Sequence, residues 1–262
     1  MLSLQWHGMP LTPTRVVRAL QRRVRDHLQP VNEVRGVYPT FAAAAAAAPR
    51  IKPLGYDSAA AGDWYADKQS GVQLEDYPVL YWLRNAFADS TSVFEIGGHV
   101  GVAYYGFSKV LDYPPGLAWT ILDVPTVMAA GETIARERGA TGLRFAHGGV
   151  TAERGADIVL AAGALQYLET DIAAIVTSFV QRPRHVLINV TPVYDGPAFV
   201  TVQNVSAVYC AYRVFNRQEL VGSLESAGYR LVDSWAKPRR FRVPGHPDKS
   251  FDHYSGFYFR AR

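Results

Sequence analysis

The residues with the clearest chemical potential lie in the stretch Val93-Phe94-Glu95-Ile96-Gly97-Gly98-His99-Val100-Gly101. Glycines at 97, 98 and 101 let a backbone turn sharply and come close to a ligand. A helix starting after Gly101 would aim its free amides at the same place. The spacing does not match the G-x-G-x-x-G of dinucleotide sites. Residues 101–108, GVAYYGFS, imitate a phosphate loop, but Phe107 stands where that chemistry needs a lysine. What remains is the acid two places before the first glycine. Glu95 can accept hydrogen bonds around a cationic amino-acid moiety, which suits S-adenosylmethionine and not a pyrophosphate. A second acid, Asp123 in Ile121-Leu122-Asp123-Val124-Pro125, is placed to accept both hydroxyls of a ribose. Asp123 alone fits an NAD enzyme equally well; the pair favours the sulfonium nucleoside. The competing structural role for either acid is to cap the helix that follows it.

Such a site needs a sheet whose strands end beneath it, and the pattern supplies one. Short β-rich runs at Ser92–Ile96, Trp119–Asp123, Leu143–Ala146, Asp157–Ala161 and Arg184–Val190 alternate with helical stretches at 102–111, Thr126–Arg138 and Asp171–Val180. Asn216 to Ala227 reads as a helix with a capping box between Asn216 and Glu219 and Gly228 at its end. Tyr229–Trp235 and Tyr254–Ala261 follow as strands with no helix between them, so one should run antiparallel. The expected fold is α/β, a doubly wound, seven-stranded, mostly parallel sheet of Rossmann-like type. It occupies residues 85–262, with an insertion at 191–213, behind an N-terminal helical extension over 1–84. Within that extension Thr12 caps an arginine-faced helix to Leu28, the alanine tract ended by Pro49 is a short helix, and the aromatic-rich stretch Gly55–Leu83 is helical cover.

Composition limits the alternatives. An apolar share of 48% with 19% charged residues is that of a globular chain. The longest apolar run, Phe41–Ala48, is under half of a bilayer span, so no membrane span is expected. A lone Cys210 excludes an internal disulfide, and with no secretory pattern in view the expected compartment is the cytoplasm. The net charge of +4 arises from Arg15, Arg18, Arg22, Arg23, Arg25 and Arg35 against Asp26 and Glu33. The rest of the chain is neutral, which argues against nucleic acid as a partner. Lys237, Arg239, Arg240 and Arg242 form a small basic cluster, read as a solvated face. No metal-ligand cluster is visible, so no metal is expected.

Residues 92–190 resemble the core of class I S-adenosylmethionine-dependent methyltransferases. More narrowly, the chain is similar to a family of bacterial methyltransferases through GVYPTFAAA and GYDSA near the start, FEIGGHVG, YY at 104–105, LDVP at 122–125 and ALQYLE at 164–169, and then through FVTVQN at 199–204, YRVFNRQEL at 212–220 and the ending YSGFYFR. The resemblance covers nearly everything after residue 36. It implies the fold and S-adenosylmethionine as cofactor, with S-adenosylhomocysteine as product, and leaves the acceptor open. It places Gly97, Gly98, His99, Gly101, Val124, Ala162, Gly163, Ala164 and Gln166 along the cofactor with Glu95 and Asp123; His147 has two equal readings, a contact to the adenine and an exposed loop histidine. One departure stands out: the usual loop is acidic-x-G-x-G-x-G, and His99 takes the middle glycine position. A loop-shaping role, a cofactor contact and catalysis are the three readings of it.

The segment from Thr191 to Arg213 is the expected roof over a small-molecule acceptor. Tyr194, Thr201, Gln203, Asn204, Tyr209 and Tyr212, with Tyr105, are the candidate substrate contacts, and their aromatic and amide groups suit a polar organic molecule. Asp195 and His253 are candidate bases for activating a hydroxyl; a turn aspartate before Gly196 and a surface histidine are their plainer readings. Ala162-Gly163-Ala164-Leu165 stands where amino-methylating enzymes carry N/D-P-P-Y, which favours a hydroxyl over a nucleobase amine. Methyl transfer to a hydroxyl, or an amine, of a sugar-derived or secondary metabolite is the first expectation. An RNA methyltransferase and a non-catalytic binder of the same cofactor are the alternatives.

Overall fold

The computed structural model of the 262-residue chain describes residues 32–57, 71–146, 155–205 and 207–262, with the backbone of 5–6 and 9–10. The expected arginine-faced helix, the segment holding Trp64 and Tyr65, and His147 lie outside the described residues.

The strands and helices, in chain order, are β1 (Val34–Tyr38), α1 (Phe41–Ala47), α2 (Tyr77–Ala86), β2 (Ser92–Ile96), α3 (Val102–Phe107), β3 (Ala118–Leu122), α4 (Pro125–Glu137), β4 (Leu143–Phe145), β5 (Ile158–Ala162) and α5 (Ile172–Ser178). There follow β6 (His185–Thr191), β7 (Val193–Tyr194), β8 (Phe199–Val205), β9 (Val208–Asn216), α6 (Arg217–Ser226), β10 (Tyr229–Val243) and β11 (His246–Ala261). The main sheet has seven strands in the order β10-β11-β6-β5-β2-β3-β4. Pairs among β4, β3, β2, β5 and β6 are parallel, and β11 runs antiparallel to both its neighbours. This is the doubly wound sheet expected from the strand–helix alternation, with the expected reversed strand near the end. Order reverses between β2 and β5, so the crevice for a ligand opens there, past the carboxyl ends of both strands.

Central strands buried on both faces read as continuous apolar runs, as in SVFEI and IVLAA. Alternate residues go to opposite layers. Phe94, Ile96, Val159 and Ile188 pack against Ile175, Val176, Leu220 and Leu224 of α5 and α6. Val93, Trp119, Ile121, Leu160 and Leu187 pack against Val79 and Leu83 of α2, Phe107 of α3 and Ala135 of α4. Trp82 docks α2 onto the sheet: its ring stacks on Tyr258 at 4.3 Å and its Nε1 donates to Asp233 at 2.9 Å. The helix predicted over 216–227 is present, with a one-sided cap in which Asn216 Oδ1 accepts from Glu219 N at 2.9 Å.

One region differs from expectation. The part of the N-terminal extension that was read as helical begins with a strand, β1, before the alanine helix α1. Residues 191–213, the expected insertion, carry a β-hairpin with its second strand running on to Asn216. β8 and β9 pair antiparallel, β1 adds to the outer edge of β8, and β7 pairs with β9, which makes a second sheet ordered β1-β8-β9-β7. The cause is burial: every residue of FVTVQNV is buried, including its polar ones. Buried backbone must find partners, and a ladder supplies them for the whole segment. Among the described residues no helix is long and apolar enough to cross a membrane.

Candidate functional site

Positions 97, 99 and 101 all have left-handed backbone, with φ of 68°, 57° and 101°. These are the three places where the common loop has glycine. His99 adopts the conformation without being glycine, which histidine tolerates better than most residues. Gly98 is needed for a different reason. A Cβ there would lie 2.5 Å from Glu95 Oε2, so the loop backbone rests directly on the carboxyl group. A Cβ at Gly97 would collide with that of Ala164, which brings the turn after β2 and the turn after β5 into contact.

The loop is tied to the end of β3. Gly97 N donates to Leu122 O at 2.7 Å and His99 N donates to Asp123 Oδ2 at 2.8 Å. Asp123 Oδ1 accepts from Val124 N at 2.7 Å. Each carboxylate oxygen therefore has one backbone donor and keeps room for another. Burial raises the pKa of Asp123 above the ordinary aspartate range, and the two amides pull it back. Glu95 is 3% exposed and points into the layer of α2 and α4, where Trp119 Nε1 donates to its Oε2 at 2.7 Å. Burial pushes its pKa up to about 8, the indole bond opposes this, and the nearby charges of Asp123 and Asp76 add to it. Both acids thus belong to one electrostatic site, with Glu95 beneath the loop and Asp123 at its rim.

On the β5 side, Gly163 has a φ of 74° and its amide donates to Asn189 O at 2.8 Å. Gln166 is buried; its Nε2 donates to Gly163 O at 2.7 Å and its Oε1 has no partner among the described residues. Ala164 is buried and Ala162 half-buried at the same edge. Tyr105 packs against Gly101 with Arg138 4.6 Å from its ring centroid, and its buried hydroxyl has no partner among the described residues. It belongs to the glycine loop and not to the second sheet.

The other expected acceptor contacts gather on that second sheet, each engaged within the protein. Thr201 Oγ1 donates to Arg35 O, Gln203 Oε1 accepts from Tyr167, Asn204 Oδ1 accepts from Lys52, and Tyr212 donates to the Tyr254 hydroxyl. Tyr209 lies beneath Lys52 Nζ, and Tyr194 donates to Pro197 O at 2.6 Å. Asp195 has a side chain 93% exposed, 3.9 Å from Arg217, and His253 is exposed on β11. The two candidate bases are not brought to the glycine loop by any contact. A cavity of about 440 Å³ opens between α1, α6 and the second sheet, lined by Phe41, Asp171, Phe199, Arg213, Phe215 and Glu219 among others. Neither Glu95 nor Asp123 lines it.

Several residues of the site carried no motif. Trp119, which bonds Glu95, was legible only as a strand residue. A buried tryptophan needs an acceptor for its N–H, and Glu95 on the neighbouring strand lies two places beyond Val93, the register partner of Trp119. Asn189, Trp235 and Asp76 gave no sequence signal.

The sequence matches no protein-family model and no curated protein. Solved structures match in shape. The magnesium protoporphyrin IX methyltransferase of Synechocystis PCC 6803 with bound S-adenosylhomocysteine is 13% identical, with 79% of this chain and 96% of that one covered at a TM-score of 0.52. The CcbJ methyltransferase of Streptomyces caelestis is also 13% identical over 76% of this chain and 95% of its own, at 0.51. An O-methyltransferase family protein of Burkholderia thailandensis is 16% identical over 78% and 60%, at 0.50. At this identity the likeness is one of fold. The chain has the fold of class I S-adenosylmethionine-dependent methyltransferases.

Proposed function

We propose that this chain is an S-adenosylmethionine-dependent methyltransferase acting on a hydroxyl, or an amine, of a small polar or sugar-derived metabolite. The observation that carries the reading is the left-handed backbone at 97, 99 and 101 between Glu95 and Asp123, held to the end of β3 by the His99 amide bond. That geometry supports a nucleoside at the rim: the free acceptor site on each Asp123 oxygen fits one ribose hydroxyl. The bare backbone at Gly97 and Gly98 gives the amino-acid end close approach, and Gln166 Oε1, without a partner among the described residues, is available to accept from an ammonium group.

When bound, S-adenosylmethionine supplies a methyl group already activated by its sulfonium. The chain's own residues are left with binding and alignment, worth up to about 7–11 kcal/mol of a barrier. Asp123 would fix the ribose, the turn at 97–101 the amino-acid portion, and Val124, Ala162 and Ala164 the flanks. The small-molecule acceptor is supported by the second sheet, which grows from the carboxyl end of β6 and is tied to the turn after β5 by the Tyr167–Gln203 bond. Asp195 and His253 are left without a role in the proposal, since both are solvent-exposed.

Calorimetry with S-adenosylhomocysteine tests the cofactor. Micromolar binding to the wild-type protein, lost in Asp123→Ala, is expected; equal affinity in the two proteins would remove the assignment. Incubation with methyl-labelled cofactor and fractionated metabolites then tests turnover. Binding without label transfer to any fraction would favour the non-catalytic alternative.

A further inference from the structure

Asn189 lies near the carboxyl end of β6, opposite a register shift. Ile188 pairs with Phe257 and Thr191 with Ser255, so Asn189 and Val190 together face Gly256. Val190 has a φ of 51°, a costly conformation for a β-branched residue. Gly256 has no side chain where the Trp235 indole lies, and Trp235 Nε1 donates to Asn189 Oδ1 at 3.0 Å. The Asn189 amide nitrogen is thereby turned outward from β11, donating to Glu75 O at 3.0 Å and approaching Asp76 Oδ1 at 3.4 Å. Lys237 on β10 pairs with Glu75. The turn Leu74–Asp76 ahead of α2 is thus seated on the carboxyl edge of β6. Ala162 is the register partner of Asn189 and Gly163 donates to its carbonyl, so one strand further along lies the turn that packs on Gly97.

From this placement we propose that Asp76 is the third carboxylate of the cofactor site and makes that site prefer the positively charged sulfonium of S-adenosylmethionine over the neutral thioether of its product. The inference rests on the cofactor reading above. Among the described residues no ion pair holds Asp76, Glu95 or Asp123. Lys237, whose charge acts on Asp76, is engaged by Glu75, on which Arg239 also acts. Burial holds Asp76 above the ordinary aspartate range, and its charge is one of those felt by Glu95. A buried acceptor without a partner among the described residues, Gln166 Oε1, stands beside the same turn and independently calls for a donor. Asp76 and Asp123, held by amides and not by an ion pair, cost stability when ionised unless a cation arrives. A site so arranged releases the ligand whose charge has been lost, which favours product exit after transfer.

The test compares dissociation constants of S-adenosylmethionine and S-adenosylhomocysteine by calorimetry in the wild-type protein, Asp76→Asn and Asp76→Glu. A carboxylate roughly 12 Å from a sulfonium, at an effective dielectric near 20, changes affinity on the order of tenfold. Asp76→Asn should therefore weaken the sulfonium ligand about tenfold and the thioether less than about twofold, with Asp76→Glu restoring the preference. Retained thioether binding also shows that the variant is folded. Equal weakening of both ligands would make Asp76 merely structural, and an unchanged ratio would place it outside the site; either overturns the proposal. A wild-type protein that binds neither ligand would refute the cofactor reading itself, before any variant is compared.

Discussion

Replacing Glu95 by glutamine should leave the folded protein's shape intact and remove most of its sensitivity to alkali. Glutamine keeps an oxygen that can accept from Trp119 Nε1, and it cannot ionise. In the wild-type protein burial holds the carboxyl group at about 8 against an ordinary 4.5. The folded state therefore binds this proton more tightly than the unfolded state does. Between those two values the unfolded chain has lost the proton while the folded one retains it, so raising the pH favours unfolding across the whole window. At about 1.4 kcal/mol per pH unit the gap corresponds to roughly 5 kcal/mol, lost between pH 4.5 and 8 and level above it. A chain of this length moves its melting midpoint by about 2–4 °C per kcal/mol. Thermal unfolding followed by circular dichroism at pH 5 and pH 8.5 reads the effect. The wild-type midpoint should fall by roughly 10 °C more than that of Glu95→Gln. Any constant offset between the two proteins cancels in this comparison. Midpoints that move in parallel, within about 2 °C, would show that the carboxyl group ionises freely and is not sealed beneath the loop.

The seal has a second check. Gly98→Ala must displace the Glu95 carboxyl group and should cost about 2–4 kcal/mol together with ligand binding, while Gly222→Ala, with open space around it inside α6, should stabilise by up to about 1 kcal/mol; denaturant titration of both variants decides. Asn216→Ala removes the α6 cap and also the bond from Asn216 Nδ2 to Gly196 O, so a loss of about 1–2 kcal/mol is expected by the same titration. Binding of S-adenosylmethionine at pH 7 should drive a proton off Glu95 as positive charge approaches. Calorimetric enthalpies measured in phosphate and Tris should then differ by up to about one proton's buffer heat, and identical enthalpies would separate Glu95 from the ligand.

How much of this could be read from residues alone depends on how local the cause is. Apolar runs bounded by glycines gave the central strands to within about two residues, because a strand buried on both faces admits little else. The acid–glycine spacing around 95–101 and the acid at 123 were also legible, since a turn that approaches a ligand restricts the residue types allowed at each position. The substitution of His99 at a glycine position could be seen in the sequence. That it keeps φ of 57°, and so preserves the loop, could not.

Tertiary structure decided the rest. The strand β1 is five residues long and has a half-buried pattern that specifies nothing until β8 offers it an edge. The hairpin of β8 and β9 was expected as a roof over the site. Polar residues there find partners such as Arg35 O and Lys52 that are distant in the chain, so that the segment is sheet. Asp76 lies 113 residues from Asn189, and no spacing rule relates them. What sequence determines by itself is the chemistry available at one turn, because steric and hydrogen-bonding constraints act over a few residues. Which carboxylates share a field is set by distance in space, and only the packing of α2 against the sheet brings Asp76 within electrostatic reach of Glu95.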